Sequence, residues 1–121
     1  MKQKTLLLLV VFMLVCSFAC VVSSSYRGTC GENLTWELDA NGVLTISGTG
    51  AMFDYKSNNS PFCKSYAIKS VILEDGITHI GKYAFRDCRS LISITIPSSV
   101  TSIGLGAFEF SLKLTSVTIP K

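Results

Sequence analysis

Few side chains in this 121-residue sequence are equipped for chemistry: five cysteines, one histidine (His79) and eight carboxylates. A thiol nucleophile needs a base within hydrogen-bond reach and a third group that orients the base. Cys63 or Cys88 with His79 is the pairing the chain offers, and it would define a small hydrolase. A zinc site would need several Cys or His ligands at close spacing. With a single histidine and no Cys-x-x-Cys pair, an ordinary zinc site is ruled out, and no cofactor is expected.

Which of these groups can meet depends on the elements that carry them. Residues 1–25 read as a secretory signal peptide: Lys2 and Lys4 precede an apolar run from Leu6 to Val22, and Ser23, Ser24 and Ser25 supply small residues for cleavage. A retained membrane anchor is the competing reading, because that run sits at the lower edge of a spanning length. Cleavage would leave nine basic and eight acidic side chains, a net charge of about +1. Nothing in that balance calls for nucleic acid or an anionic membrane as partner. It would also leave Cys30, Cys63 and Cys88 in a compartment that permits disulfides. Cys30 and Cys63 are the candidate pair, and one thiol is left over.

Residues 26–66 read as a β-hairpin cap. Leu34 to Leu38 and Val43 to Ser47 each alternate apolar and polar residues, and Asp39-Ala40-Asn41-Gly42 is a turn cluster between them. Leu34, Trp36 and Leu38 share one face, with Leu44 and Ile46 available to pack on it. Trp36 is expected in the core, with a sugar-binding role as the alternative. Asn33-Leu34-Thr35 and Asn58-Asn59-Ser60 are sequons, so Asn33 and Asn58 are glycosylation candidates in a eukaryotic secretory pathway.

Residues 67–121 repeat at an offset of 23. Ile68 aligns with Leu91 and Leu114, Val71 with Ile94 and Val117, and Leu73 with Ile96 and Ile119. Gly81 aligns with Gly104, and Ala84-Phe85 with Ala107-Phe108. A constant period of this size marks a solenoid whose units cover one another's apolar faces. Within the unit, Leu91-x-x-Ile94-x-Ile96 is a strand pattern that Pro97 closes. Gly104 is expected to supply positive φ at a corner. The fold class expected is mostly β, a solenoid of two full units and part of a third. His79 aligns with Ser102 and should point outward, whereas Cys88, aligned with Ser111, should point in; this separates the thiol from its base.

The unit SITIPSSVTSIG with its AF pair, preceded by TCGENLTWELDANGVLTISGTGAM, resembles the BspA-like leucine-rich repeat proteins, surface or secreted proteins of gut-associated bacteria and some parasitic protists. The resemblance implies a binding role at the cell surface, such as adhesion to extracellular matrix or to other cells, and it carries over no catalytic residue. Two departures stand out: Glu74-Asp75-Gly76 replaces the Pro-Ser-Ser corner in the first unit, and Ser111 stands where the family usually has Cys. Ligand contacts are expected along the strand face, at Ser70, Ile72, Ser93, Thr95, Ser116 and Thr118. The partner expected is a protein or a matrix ligand. Alternatives from another class are self-association through the open C-terminal strand, or a truncated fragment of a longer solenoid.

Overall fold

The computed structural model describes residues 26–119, so residues 1–25, read above as a signal peptide, and Pro120-Lys121 lie outside the described residues. Among the described residues, nine strands form two sheets. β1 (Tyr26–Gly31), β2 (Leu34–Leu38) and β3 (Val43–Gly48) make an antiparallel meander. β5 (Ser70–Leu73), β7 (Ser93–Thr95) and β9 (Ser116–Thr118) then add to β3 in parallel, giving the order β1-β2-β3-β5-β7-β9. β4 (Gly50–Ala51), β6 (Ile77–Ile80) and β8 (Ser102–Ile103) form a second, parallel sheet.

The meander follows from alternation. Leu34 and Leu38 are buried while Thr35 and Glu37 face solvent, and Asp39 closes the β2–β3 turn by accepting from the N–H groups of Asn41 (2.8 Å) and Val43 (3.0 Å) through Oδ1. Two features go beyond the expected hairpin. β1 is a third strand on its outer edge, and β3 is itself the first rung of the parallel ladder, with Leu44 beside Val71 and Ile46 beside Leu73. Trp36 packs edge-on against Phe62, ring centroids 5.5 Å apart, and its Nε1 is buried without a partner. Trp36 is thus half-buried and packed against the core.

Between the sheets, equivalent residues of successive coils stack. Val71 lies beside Ile94, and Ile94 beside Val117. The rings of Phe62, Phe85 and Phe108 form a column, with centroid spacings of 5.2 and 5.6 Å and interplanar angles of 16° and 9°. Burying one such ring contributes roughly 1.5–3 kcal/mol, and each aromatic pair about 0.5–1.5 kcal/mol more. The column places Phe62 in the 23-residue register, so a first coil built from residues 43–66 stacks under the two that the period reveals.

Backbone hydrogen bonds tie the coils at their corners: Tyr83 N–H to Leu105 O, Phe85 N–H to Ala107 O and Asp87 N–H to Glu109 O. Gly104 does not have positive φ; that conformation falls instead at Tyr83 and Gly106, and at Lys64, Asp87 and Phe110. The glycines at 81 and 104 answer to crowding. A Cβ on Gly81 would sit 1.8 Å from Phe53 O, and one on Gly104 2.5 Å from the Lys82 nitrogen.

Candidate functional site

The six expected face residues come together. Ser70, Ser93 and Ser116 are in register across β5, β7 and β9, and so are Ile72, Thr95 and Thr118. They alternate with Val71 and Ile94, which point into the core, so both rows look outward at rung steps of about 4.8 Å. Ile72, Thr95, Ser116 and Thr118 are exposed, and Ser70 and Ser93 are half-buried.

Register carries the row further than the repeat period does. Thr45 pairs with Ile72, Glu37 with Thr45 and Arg27 with Glu37, so one line of side chains crosses all six strands. At its meander end Thr29, Thr35, Thr45 and Ser47 border a shallow trough of about 490 Å³ beneath the exposed Arg27–Glu37 ion pair (3.5 Å). These residues were missed because β3 aligns with β5 at an offset of 27 rather than 23. The alternation of Val43-Leu44-Thr45-Ile46-Ser47 against Ser70-Val71-Ile72-Leu73 was the available signal.

The thiols do not meet the histidine. Cys30, Cys63 and Cys88 are all free, and the Cys30–Cys63 bridge is not formed. Cys30 lies at the end of β1, where its carbonyl accepts from Phe53 N–H. Cys63 lies in the Ser60–Lys64 turn, with Ser57 O 3.9 Å from its sulfur. The two lie on different elements, Cys30 in the meander and Cys63 in the first coil. Cys88 is fully buried, donates from Sγ to Phe62 O at 3.1 Å, and has its pKa pushed up to about 12, by burial first and by nearby Cys63 second. It is a protonated thiol at neutral pH and therefore a poor nucleophile.

His79 instead bridges Asp54 and Ser102. Its Nε2 lies 2.9 Å from Asp54 Oδ1 and its Nδ1 2.7 Å from Ser102 Oγ. The His79 bond, followed by the Lys82 backbone N–H (2.9 Å), holds the Asp54 carboxyl below the usual aspartate range. An Asp–His–Ser line is the proton-relay part of a hydrolase triad, but acyl transfer also requires donors for an oxyanion. Here the Lys82 N–H is directed at Asp54 itself. The line crosses from β8 through β6 to the segment after β4 and works as a tie between coils.

The asparagines of both sequons are exposed, while Leu34 of the first and Ser60 of the second are buried. Asn33 occupies the β1–β2 turn, where its carbonyl accepts from Thr49 N–H, and Asn58 Oδ1 accepts from Arg86 Nη1 at 2.7 Å.

Parallel strands stacked at a 23-residue period on two faces of a continuous core define a leucine-rich-repeat solenoid. The family model for the BspA type leucine-rich repeat region (6 copies) matches residues 56–121, and the chain belongs to that family. It is also similar to a leucine-rich repeat protein from Eubacterium ventriosum ATCC 27560, known from a crystal structure, at 43% sequence identity and a TM-score of 0.74. That match covers 79% of this chain and 26% of the other, so the chain spans about a quarter of that protein's length. No curated protein matches the chain.

Proposed function

We propose that the protein is a non-enzymatic extracellular or cell-surface binding module whose ligand, a protein or matrix component, lies along the outer face of the six-stranded sheet. The observation that carries this reading is the unbroken row Arg27, Glu37, Thr45, Ile72, Thr95 and Thr118, with Ser70, Ser93 and Ser116 beside it. Rigid strands hold these groups in fixed register, so a ligand that fits them loses little free energy to ordering the protein. Membership of the BspA-type family and the apolar leader favour a role outside the cytoplasm. The test is retention of the purified protein on immobilised extracellular-matrix proteins and on intact cells, compared with a Ser93→Lys/Thr95→Glu variant. At least tenfold weaker retention with unchanged circular dichroism is expected. Equal retention by the variant sinks the reading.

The β9 edge supports a second reading, self-association. Val117 is 51% and Ile119 61% exposed, whereas their counterparts Ile94 and Ile96 are buried. Sedimentation velocity over a concentration series separates the two: a constant monomer removes self-association and leaves the face reading standing.

A further inference from the structure

A second groove lies away from the strand face, at the corner that leads into β5, β7 and β9. It is open, about 760 Å³ in volume, and takes side chains from three successive coils: Lys64 from the first, Arg86 and Arg89 from the second, Phe110 and Lys113 from the third. Asn58 closes one side. The arginines are already oriented. Arg86 donates to Asn58 Oδ1 and to Ser57 O (3.2 Å) and lies over the Phe110 ring at 5.1 Å, while Arg89 is fixed by Asp87 at 2.8 Å. The lysines are different. Among the described residues neither Lys64 nor Lys113 has an ion-pair partner, so the groove, which Asp87 also lines, keeps an excess of positive charge.

Backbone conformation adds an independent observation. Lys64, Asp87 and Phe110 stand 23 residues apart, and all three are left-handed, with φ of 59°, 58° and 62°. The corner ladder accounts for the conformation, since Lys64 N–H bonds to Arg86 O and Asp87 N–H to Glu109 O. It does not account for the residue types. Glycine or asparagine would fill such positions at least strain, and a bulky residue there is an outlier that points to function. Here those positions carry a lysine, an aspartate and a phenylalanine, all three lining the groove; the aspartate tolerates the conformation, whereas the exposed lysine and phenylalanine are the outliers.

We propose that this corner groove binds an acidic polysaccharide, its carboxylates or sulfates held by Lys64 and Lys113, with the ion-paired Arg86 and Arg89 between them, and a sugar ring seated against Phe110. Repetition is what selects a polymer. Cations contributed coil after coil along the stacking axis match anions repeated along an extended chain, and the lysines make the direct contacts, because Arg86 already faces Glu109 and the Arg89 fork already holds the Asp87 carboxylate. The aromatic ring and the alkyl stems of the lysines supply the apolar surface on which the less polar face of a sugar rests. The site is separate from the strand face and stands or falls independently of the ligand proposed there.

The test is equilibrium binding of the purified protein to heparin, hyaluronan, neutral dextran and poly-glutamate at two salt concentrations. Binding to heparin or hyaluronan that weakens with salt, with none to dextran, is expected; preference between the two distinguishes sulfate from carboxylate as the recognised group. Lys64→Glu/Lys113→Glu should lower affinity at least tenfold, whereas Lys69→Glu/Lys82→Glu, with the same net charge and both residues outside the groove, should change it less than twofold. Phe110→Gly, which relieves the left-handed strain, should weaken glycan binding at least threefold without lowering the melting temperature. The proposal is overturned if neither glycan binds, if both charge-reversal pairs act alike, or if poly-glutamate binds as tightly as the glycans. The last result would assign the groove to acidic peptides.

Discussion

At the scale of single residues, thiol and hydroxyl do the same work in successive coils. Cys88 Sγ donates to the carbonyl of Phe62, and Ser111 Oγ donates to the carbonyl of Phe85, each reaching back to the Phe of the coil before. Ser111 Oγ also accepts from Cys88 N–H at 3.1 Å. The departure from cysteine at position 111 therefore leaves the tie between coils intact. Cys88→Ser is expected to stay within about 1 kcal/mol of the parent. Ser111→Ala, which strands a buried donor and a buried acceptor, should cost roughly 2–4 kcal/mol; urea unfolding of the two variants checks the order. Asp54 makes a smaller, pH-dependent contribution. Its pKa is depressed in the folded state, so its stabilisation is present above its ordinary value of 3.8 and disappears as the pH falls below that. With the carboxylate half exposed, solvent screening keeps the effect to no more than about 1 kcal/mol. In His79→Asn the Asp54 titration, followed by carboxyl NMR, should move upward toward 3.8, because the largest cause of the depression is gone.

At the scale of elements, the 23-residue period made the parallel ladder legible, because apolar residues stack on their own copies. It named the six face residues and kept His79 apart from the thiols. Elsewhere the signal was weaker or absent. β1 begins Tyr26-Arg27-Gly28-Thr29, without the apolar alternation that marks a strand, since Gly28 is the residue that makes room for Trp36: a Cβ there would lie 2.8 Å from the indole nitrogen. The first coil escaped because its β3 segment has drifted out of register, although Phe62 and Ser65 still hold the period of Phe85 and Cys88. Gly104 was read through the commonest reason for a glycine, positive φ, when the operative reason is the neighbouring coil. The corner groove was hidden for another reason. Its cations are scattered along the chain, within a net charge of only +3, and only stacking gathers them. Crowding gives the element-scale prediction. Gly81→Ala drives a Cβ into Phe53 O, so the segment after β4 or the one after β6 must shift, at a cost of roughly 3 kcal/mol, visible as a lowered denaturant midpoint.

At the scale of the whole molecule, the question is whether meander and coils unfold together, and three buried acids spread along the chain offer the means to ask it. Cys30 sits in the meander, Tyr55 in the first coil and Cys88 in the second. Burial raises the two thiols from 9.0 to about 12, and the phenol of Tyr55, whose hydroxyl finds no partner, from 10.0 to about 12. The folded state thus keeps its protons where the unfolded chain would release them. The stabilisation is complete below about pH 9 and is lost as the pH climbs toward 12. Between pH 9 and 10 each thiol removes about 1 kcal/mol, roughly 2 kcal/mol for the pair, a large share of the stability of a domain this size. Denaturant unfolding followed in parallel by Trp36 fluorescence, which reports on the meander, and by far-UV circular dichroism, which reports on all the coils, reads the loss. If nearest-neighbour contacts bind the stack into one cooperative unit, both probes shift together at pH 10, and Cys88→Ser restores part of the midpoint in both. Separation of the two curves, with Cys88→Ser moving only the circular dichroism, would show instead that the meander and the second coil melt independently, and that the Trp36–Phe62–Phe85 contacts are too weak to couple them.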